Sequence, residues 1–261
     1  MIAYPNINPI ALQLGSLKIY WYGIMYVIGF GAAWLLANYR AKHTPKSFTS
    51  NQISDLIFYC AIGVILGGRL GYILFYDLPD FITDPSFVFK IWEGGMSFHG
   101  AFIGVIIAMY LASRKNKKSF LATTDFICPL VPIGLMLGRI GNFINGELWG
   151  KITTVPWGMI FPTGGNLPRH PSQIYEALLE GLALFLFLWI YSAKPRKTGN
   201  VSAMFVIGYG TARIICEFFR KPDVQLGYIA FNWVTMGQLL SLPMIIIGVW
   251  ILVRNRVKKI G

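Results

Sequence analysis

Long apolar stretches separated by short polar segments run along the whole chain. The hydrocarbon core of a bilayer is about 30 Å thick, so a helix needs roughly 20 apolar residues to cross it. The pattern predicts about seven such helices, at about 19–38, 55–76, 96–113, 120–138, 173–192, 201–219 and 234–253. We therefore expect an all-α integral membrane protein, and a single membrane domain over residues 1–261, because no linker divides the chain.

The composition agrees with this pattern. The chain of 261 residues is 55% hydrophobic and only 13% charged, whereas a typical soluble domain is about 25% charged. So apolar a chain is neither intrinsically disordered nor an ordinary water-soluble domain. The net charge of +12 could attract nucleic acid or a membrane surface, and the mean hydropathy of +0.55 favours the membrane. We expect no nucleic-acid partner.

The placement of the basic residues predicts an orientation. Lys and Arg accumulate in cytoplasmic loops, and the loops after the first, third, fifth and seventh spans hold about twice as many as the remaining loops. This places the N-terminus outside, the C-terminus in the cytoplasm, and two long extracytoplasmic loops at about 77–95 and 139–172. Residues 1–17 contain no Lys or Arg, so we expect no cleavable signal peptide.

The sequence contains three cysteines and lacks several motifs, and both observations limit the possible chemistry. Cys60, Cys128 and Cys216 all fall within predicted spans, where a cysteine is usually a small buried apolar residue. The sequence has no CxxC, no HExxH and no phosphate-binding GxxxxGK[ST] loop. We therefore expect neither a metal site nor a cofactor.

Polar residues concentrate in the predicted outer half of the bilayer. An ionisable group at the membrane centre costs at least about 2.5 kcal/mol, so each one needs a reason. Six separate segments bring polar groups to one depth, which predicts a site for a polar headgroup at the extracytoplasmic interface. These segments are Tyr22, Arg69, His99, Gly138–Gly150, His170–Glu176 and Arg213–Arg220.

Several of these residues also have structural explanations. Arg213 and Glu217 lie four residues apart on one helix face, as expected for an ion pair that lets both charges enter the membrane. His99 fits a histidine at a helix cap, and Arg69 could direct its charge outward to the interface. The sequence leaves these alternatives open.

The same segments resemble bacterial prolipoprotein diacylglyceryl transferases. The resemblance covers about residues 7–250, and the run Gly138–Gly150 is similar to the signature of that family. The segment from Gly150 to Leu167 is shorter than in some members. The positions that match the family's important residues are Tyr22, His99, Arg139, Asn142, Glu147, Gly150, Arg213 and Glu217.

The resemblance implies an enzyme of the bacterial plasma (inner) membrane whose active site faces the periplasmic side. It would move the diacylglyceryl group of phosphatidylglycerol to the lipobox cysteine of a prolipoprotein signal peptide, forming a thioether and releasing glycerol 1-phosphate. No cofactor or metal is implied. We count Asn145 and Arg69 as further substrate-binding candidates, since they lie in the same outer segments.

The residue types suit this chemistry. A free thiol has a pKa of about 8.5 and needs a base, a role that we assign to His99. Arg139 and Arg213 would stabilise the phosphate leaving group, and lysine would not reproduce their bidentate geometry. Glu147 and Glu217 would orient these arginines. Either glutamate is an alternative base.

The remaining assigned residues have smaller roles in this hypothesis. Asn142 and Tyr22 would donate hydrogen bonds to the headgroup, and Gly150 would allow a close turn.

Two other classes compete with the transferase. A transporter or flippase could use the same outer site, but it predicts polar residues that continue into the inner leaflet. There the sequence offers little besides Asp55 and Asp125 at span ends. An intramembrane serine protease could use Ser97 and His99, yet residues two apart at a helix start need an unusual turn to form a hydrogen bond.

Overall fold

Most of the chain is helical in the computed structural model, which describes residues 2–43, 48–90, 94–222 and 227–257. A π-helical segment, Ala177–Ala183, joins the helices Ser172–Glu176 and Leu184–Ser192 without a break. The helices in chain order are α1 (Trp21–His43), α2 (Ser50–Tyr76), α3 (Leu78–Thr83), α4 (Phe98–Lys115), α5 (Phe120–Ile127), α6 (Val131–Ile144), α7 (Ser172–Glu176), α8 (Leu184–Ser192), α9 (Asn200–Glu217) and α10 (Met236–Val257).

Several of these helices have the length and apolar composition of membrane spans. Four segments qualify, namely α1, α2, the continuous run from α7 to α8, and α10, and a fifth is added if α5 and α6 form one bent span. Their outer faces are strongly apolar, with Phe75 76%, Ile190 71% and Ile246 66% exposed. A chain with such surfaces is a helical membrane protein. The helices α4 and α9, of 18 residues each, coincide with the third and sixth predicted spans.

The fourth predicted span, 120–138, is not one straight helix. The helices α5 and α6 meet at an angle of 50°. Pro129 and Pro132 lie at the break, where their missing N–H groups interrupt the helical hydrogen bonds. The second helix then continues to Ile144, so Arg139 and Asn142 lie on α6 and not in the loop predicted from residue 139.

Short strands also make the all-α prediction incomplete. The strands β2 (Ile10–Leu14) and β3 (Leu17–Tyr20) form an antiparallel hairpin. Its turn uses Gly15 at φ +61°, a conformation that suits glycine. Two further strands, β1 (Ile2–Ala3) and β4 (Met159–Ile160), pair in parallel. The hairpin occupies the first residues of the predicted span 19–38.

The chain divides into two compact units. The first unit comprises Met1–Ala33 and Asp125–Gly261, and the second comprises Trp34–Thr124. In the first unit, α9 packs along α10 and α6 packs against the π-helical segment. The Asp125 carboxylate accepts backbone N–H groups at the start of α9, from Gly199 at 2.6 Å and Ser202 at 2.8 Å. This contact satisfies donors that a helix start leaves open.

The second unit is organised by close packing of α2 on α4. A Cβ atom added at Gly67 would lie 2.4 Å from the carbonyl oxygen of Gly100, and one added at Gly63 would lie 2.6 Å from that of Gly104. Glycines four residues apart on each helix therefore let the two backbones touch. Such small-residue contacts are typical of helix pairs in membranes.

Candidate active site

The first unit contains a buried ionic network centred on Glu176, the last residue of α7. Its Oε2 atom lies 2.7 Å from Nε of Arg139 on α6 and 3.1 Å from Nη1 of Arg213 on α9. The Glu176 side chain is only 1% exposed. Three separate helices therefore bring their charged groups to one point, and two of these groups are the arginines that the sequence singled out.

Three further side chains complete the network. Glu180, on the π-helical segment, lies 3.4 Å from Nη1 of Arg213 and 3.8 Å from Nη2 of Arg139. The Glu217 carboxylate pairs with Arg213 one helical turn away. Arg220 reaches Glu176 at 3.7 Å. Because the arginines and the glutamates are equal in number, their charges balance, which is how ionic groups are tolerated inside membranes.

Local helix geometry explains how these groups meet. Arg213 and Glu217 share one face of α9, as their four-residue spacing predicts. Glu176 and Glu180 both reach the arginines, one immediately before and one within the π-helical segment. A π-helical turn inserts an extra residue into the helical repeat and is frequent at functional sites.

Two asparagine side chains bind Glu147, and one of them also contacts Arg139 of the network. The Asn142 side chain accepts a weak hydrogen bond from Arg139 at 3.5 Å and donates one to Glu147 Oε1 at 2.9 Å. Asn145 donates to the same oxygen at 3.0 Å. Asn142 is 6% exposed, whereas Glu147 is an exposed residue. Two asparagines therefore orient a carboxylate that remains accessible.

Gly150 lies where three backbone segments cross. A Cβ atom at this position would lie 2.5 Å from the Phe219 carbonyl oxygen and 2.7 Å from the His170 Cβ. The Gly150 N–H donates to the His170 carbonyl at 2.9 Å. The residue thus ties the segment before α7 to the end of α9, and its contribution to the site is close backbone approach.

His170 lies just before α7 and packs beside Gly150, where these backbone segments meet. Its Nδ1 lies 3.1 Å from the Tyr175 hydroxyl, and its ring packs edge-on against Phe219 at 5.3 Å. Partial burial, together with the charge of Lys151, lowers the pKa of His170. The imidazole is therefore neutral at pH 7, which fits a structural role.

Tyr22 belongs to the first unit, at the beginning of α1. A Cβ atom on Gly141 would lie 2.8 Å from the Tyr22 ring, so this ring packs directly on α6. Its hydroxyl lies 3.3 Å from the hydroxyl of Tyr26. Gly141 is two residues from Arg139, and the ring therefore lies along the same stretch of α6.

The second unit holds the other two predicted site residues. His99 is an exposed residue in the first turn of α4. Arg69 on α2 is 2% exposed, and its guanidinium donates to backbone carbonyls, among them those of Phe87 at 2.5 Å and Gly94 at 2.6 Å. This environment differs from the outward-directed charge considered for Arg69, and the assignment of Arg69 to substrate binding stays a prediction.

Sequence reasoning gave no role to Glu176, Glu180 and Arg220, although Glu176 and Arg220 lie in segments that it placed at the site. The signal was present, because an acidic residue inside an apolar span is costly without a partner. Glu180 lies in the middle of the fifth predicted span, and Glu176 precedes it by one turn. Which arginines they would meet depends on helices far away in sequence.

Fold and site together define a class, a helical membrane protein that buries a balanced cluster of arginines and carboxylates. A sequence model of the family described as prolipoprotein diacylglyceryl transferase matches residues 9–254. The chain belongs to this family.

Curated relatives agree with that assignment. The chain is 61% identical to the phosphatidylglycerol–prolipoprotein diacylglyceryl transferase of Legionella pneumophila (strain Lens), over 96% of this chain and 98% of the relative. It is 58% identical to the protein of that name from Coxiella burnetii (strain RSA 331 / Henzerling II), over 95% of each chain. The Pseudomonas paraeruginosa protein is 56% identical, over 97% of this chain and 95% of the relative.

Proposed function

We propose that this protein transfers the diacylglyceryl group of phosphatidylglycerol to the lipobox cysteine thiol of prolipoproteins. The observation that carries the proposal is the pair of arginines, Arg139 and Arg213, that meet on the buried Glu176. Membership of the family and the names of the relatives support the same reaction.

The reaction requires a site that stabilises the negative charge developing on the phosphate oxygens. The cysteine thiolate attacks the glyceryl carbon that bears the phosphate, so a C–S bond forms while a C–O bond breaks. The phosphate oxygen keeps the electron pair and departs as glycerol 1-phosphate, with about one more negative charge than in the phosphodiester. Arginines on these oxygens stabilise the transition state more than the bound substrate. We assign this role to Arg139 and Arg213.

Differences in exposure within the network support this assignment. The side chains of Arg139 and Arg213 are 18% and 13% exposed, whereas those of Glu176 and Glu180 are 1% and 0% exposed. The accessible edge of the network is therefore cationic, and the carboxylates lie behind it. An anionic headgroup meets the guanidinium groups first, and their planar geometry fits phosphate oxygens.

The remaining residues position these groups or bind the headgroup. Glu217 holds Arg213, and Asn142 and Asn145 hold Glu147. Tyr22 contributes a hydroxyl that can donate to the headgroup.

We assign the base that deprotonates the thiol to His99, on its chemistry and its exposure. Glu147 is the stronger of the two alternative bases, because its carboxylate is exposed while that of Glu217 is occupied by Arg213.

The competing classes gain no support. The Ser97 hydroxyl accepts a hydrogen bond from the Gly100 N–H at 3.3 Å and caps α4, which is a structural role and not that of a nucleophile. A transporter or flippase would share the headgroup site, but the relatives are named as transferases.

The location follows from the same proposal. The protein is a multi-pass protein of a bacterial plasma membrane, with about seven spans, its N-terminus outside and its C-terminus in the cytoplasm. The site faces the extracytoplasmic side, where the predicted loop of about 77–95 and the segment between α6 and α7 lie, and residues 1–261 act as a single membrane domain. Its partners are phosphatidylglycerol and prolipoprotein signal peptides that carry a lipobox cysteine.

Lipid transfer with purified protein tests the proposal. The enzyme in phosphatidylglycerol vesicles is mixed with a lipobox peptide, and the diacylglyceryl thioether is measured by mass spectrometry. Arg139→Lys and Arg213→Lys are expected to lower the rate about 100-fold, as for loss of a transition-state contact. Arg196→Lys is the control, since Arg196 donates to the Tyr191 carbonyl at 2.9 Å outside the network, and it should retain full activity. Full activity in either network variant would remove that arginine from the mechanism.

Parallel variants identify the base. His99→Gln is expected to abolish most of the activity and to remove the ionisation of the base from the pH–rate profile. If His99→Gln is fully active while Glu147→Gln is inactive, the base is Glu147.

A further inference from the structure

Arg69 is a buried cation whose described partners are backbone carbonyls rather than carboxylates. Its Nη2 donates to Phe87 at 2.5 Å, its Nη1 to Gly94 at 2.6 Å and Gly95 at 3.3 Å, and its Nε to Val88 at 3.4 Å. The guanidinium also lies 4.4 Å from the centre of the Phe87 ring. One side chain therefore holds two stretches of the segment that joins α3 to α4.

Both stretches have backbone conformations that need such support. Phe87 and Val88 belong to the short 3-10 helix Pro85–Phe89, whose carbonyls point to Arg69. Gly94 and Gly95 have φ of +87° and +74°, where side chains are rarely accommodated. A Cβ at Gly95 would lie 2.9 Å from Arg69 Nη1, so the guanidinium packs directly on this glycine.

The held segment leads directly to His99. The Ser97 N–H donates to the carbonyl of Gly68, the neighbour of Arg69 on α2, at 2.9 Å. Ser97 is the N-cap of α4, and His99 is the second residue of that helix. One turn of α2 thus binds the backbone at Phe87 and Val88, and again from Gly94 to Ser97 immediately before α4.

The same contacts leave little of Arg69 for a substrate. A guanidinium has five N–H donors, and hydrogen bonds to carbonyls already use four of them. The residue is 2% exposed, in contrast to the 18% of Arg139. A phosphate could bind Arg69 through two N–H groups only by displacing at least one of these carbonyls.

We infer that Arg69 is a positioning residue that fixes the location of His99 by holding the backbone carbonyls of Phe87, Val88, Gly94 and Gly95. The inference rests on the proposed function, in which His99 accepts the thiol proton. Small displacements of a base cost about 100-fold in rate, so Arg69 contributes to turnover rather than to substrate affinity.

A double-mutant cycle in the intact enzyme tests this role. Arg69→Gln is expected to lower kcat about 100-fold and to leave KM for phosphatidylglycerol within about twofold. In a His99→Gln background the same substitution should cause less than about a threefold further loss, because the two residues act through one step. Multiplicative losses, or a raised KM with unchanged kcat, would overturn the inference and indicate direct substrate binding.

Two conservative variants separate geometry from charge. Arg69→Lys keeps the charge but lacks the planar set of donors, so we expect it to resemble Arg69→Gln. Gly95→Ala leaves the charge of Arg69 in place but disturbs the contact between Gly95 and the Arg69 guanidinium. It should also lower kcat without raising KM. Arg114→Gln, on the exposed last turn of α4, is the matched control and should be fully active. A fully active Arg69→Lys enzyme overturns the inference.

Hydrogen exchange distinguishes failure of the inference from failure of the proposed function. Peptides containing Phe87 and Gly94 should exchange faster in Arg69→Gln than in the unmodified protein. Unchanged exchange, together with an inactive His99→Gln enzyme, overturns the inference alone. A fully active His99→Gln enzyme overturns the base role of His99, and the inference with it.

Discussion

Each arginine of the network already has a carboxylate partner before substrate arrives. Arg213 contacts Glu176, Glu180 and Glu217 within one cluster. In the proposed reaction, the phosphate of the substrate would share these guanidinium groups with the carboxylates. This arrangement keeps the arginines charged and oriented in a low-dielectric region, which is the preorganisation that electrostatic catalysis requires.

Removing one carboxylate should destabilise the folded protein. Glu180→Gln keeps the size of a side chain that is 0% exposed but leaves Arg139 and Arg213 with unbalanced charge. We expect the free energy of unfolding to fall by about 3 kcal/mol, the lower end for a broken buried pair, because Arg213 keeps two other partners. Thermal unfolding in detergent measures this change.

An exposed ion pair provides the control for that experiment. Asp55 pairs with Lys115 at 2.7 Å, with side chains 46% and 52% exposed. Asp55→Asn should change stability by less than about 1 kcal/mol. Equal losses in Glu180→Gln and Asp55→Asn would contradict the importance of burial in the network.

At the scale of the elements, three features place the side chains that we propose to act in the reaction. The break between α5 and α6 lets the second helix continue to Ile144, so that Arg139 and Asn142 lie on one rigid helix. The π-helical segment places Glu176 and Glu180 against the arginines. In the second unit, the glycine contacts between α2 and α4 keep Arg69 and the start of α4 on closely packed helices.

The α2–α4 contact predicts a strong effect of one methyl group. Gly67→Ala would place a Cβ 2.4 Å from the Gly100 carbonyl oxygen, and a backbone atom cannot move aside cheaply. We expect destabilisation of roughly 3 kcal/mol, the upper range for overpacking, measured by thermal unfolding. Gly31→Ala on α1 is the matched control, because its Cβ would meet no atom within 4 Å among the described residues. A Gly67→Ala protein as stable as Gly31→Ala would disprove the close packing.

At the scale of the whole molecule, the basic residues have two separate uses. Most of the excess that gives the net charge of +12 lies in the loops predicted to be cytoplasmic, and it is the basis of the predicted orientation. The buried arginines instead belong to the ionic network and the Arg69 contact. The net charge therefore indicates a membrane protein, whereas only the position of an individual arginine indicates a role in chemistry.

Cysteine labelling tests the proposed orientation. Ser16→Cys, in the N-terminal hairpin, should react with a membrane-impermeant maleimide in intact cells. Lys117→Cys, an exposed residue between α4 and α5, should react only after the membrane is permeabilised. The native Cys60, Cys128 and Cys216 are 6%, 8% and 0% exposed, so their background labelling is low. Labelling of Lys117→Cys in intact cells would reverse the predicted orientation.

Much of the helical pattern and part of the site could be predicted from the sequence. All seven predicted apolar stretches contain helix, because apolar composition over about 20 residues is a local property. Arg213 and Glu217 could be selected because an unpaired charge in an apolar span is too costly, and Arg139 because it lies in the run Gly138–Gly150 that resembles the family signature. The ion pair between Arg213 and Glu217 followed from spacing within one helix.

The tertiary structure alone decided the partners across helices. Glu176 meets Arg139 and Arg213 only because α6, α7 and α9 pack together. Arg69 binds carbonyls of a segment about 20 residues away, and no local pattern identifies backbone acceptors. The sequence thus determined which groups are charged and which stretches are helical, because both depend on local properties of the chain. Packing between distant segments determined which charges meet and which arginine remains accessible.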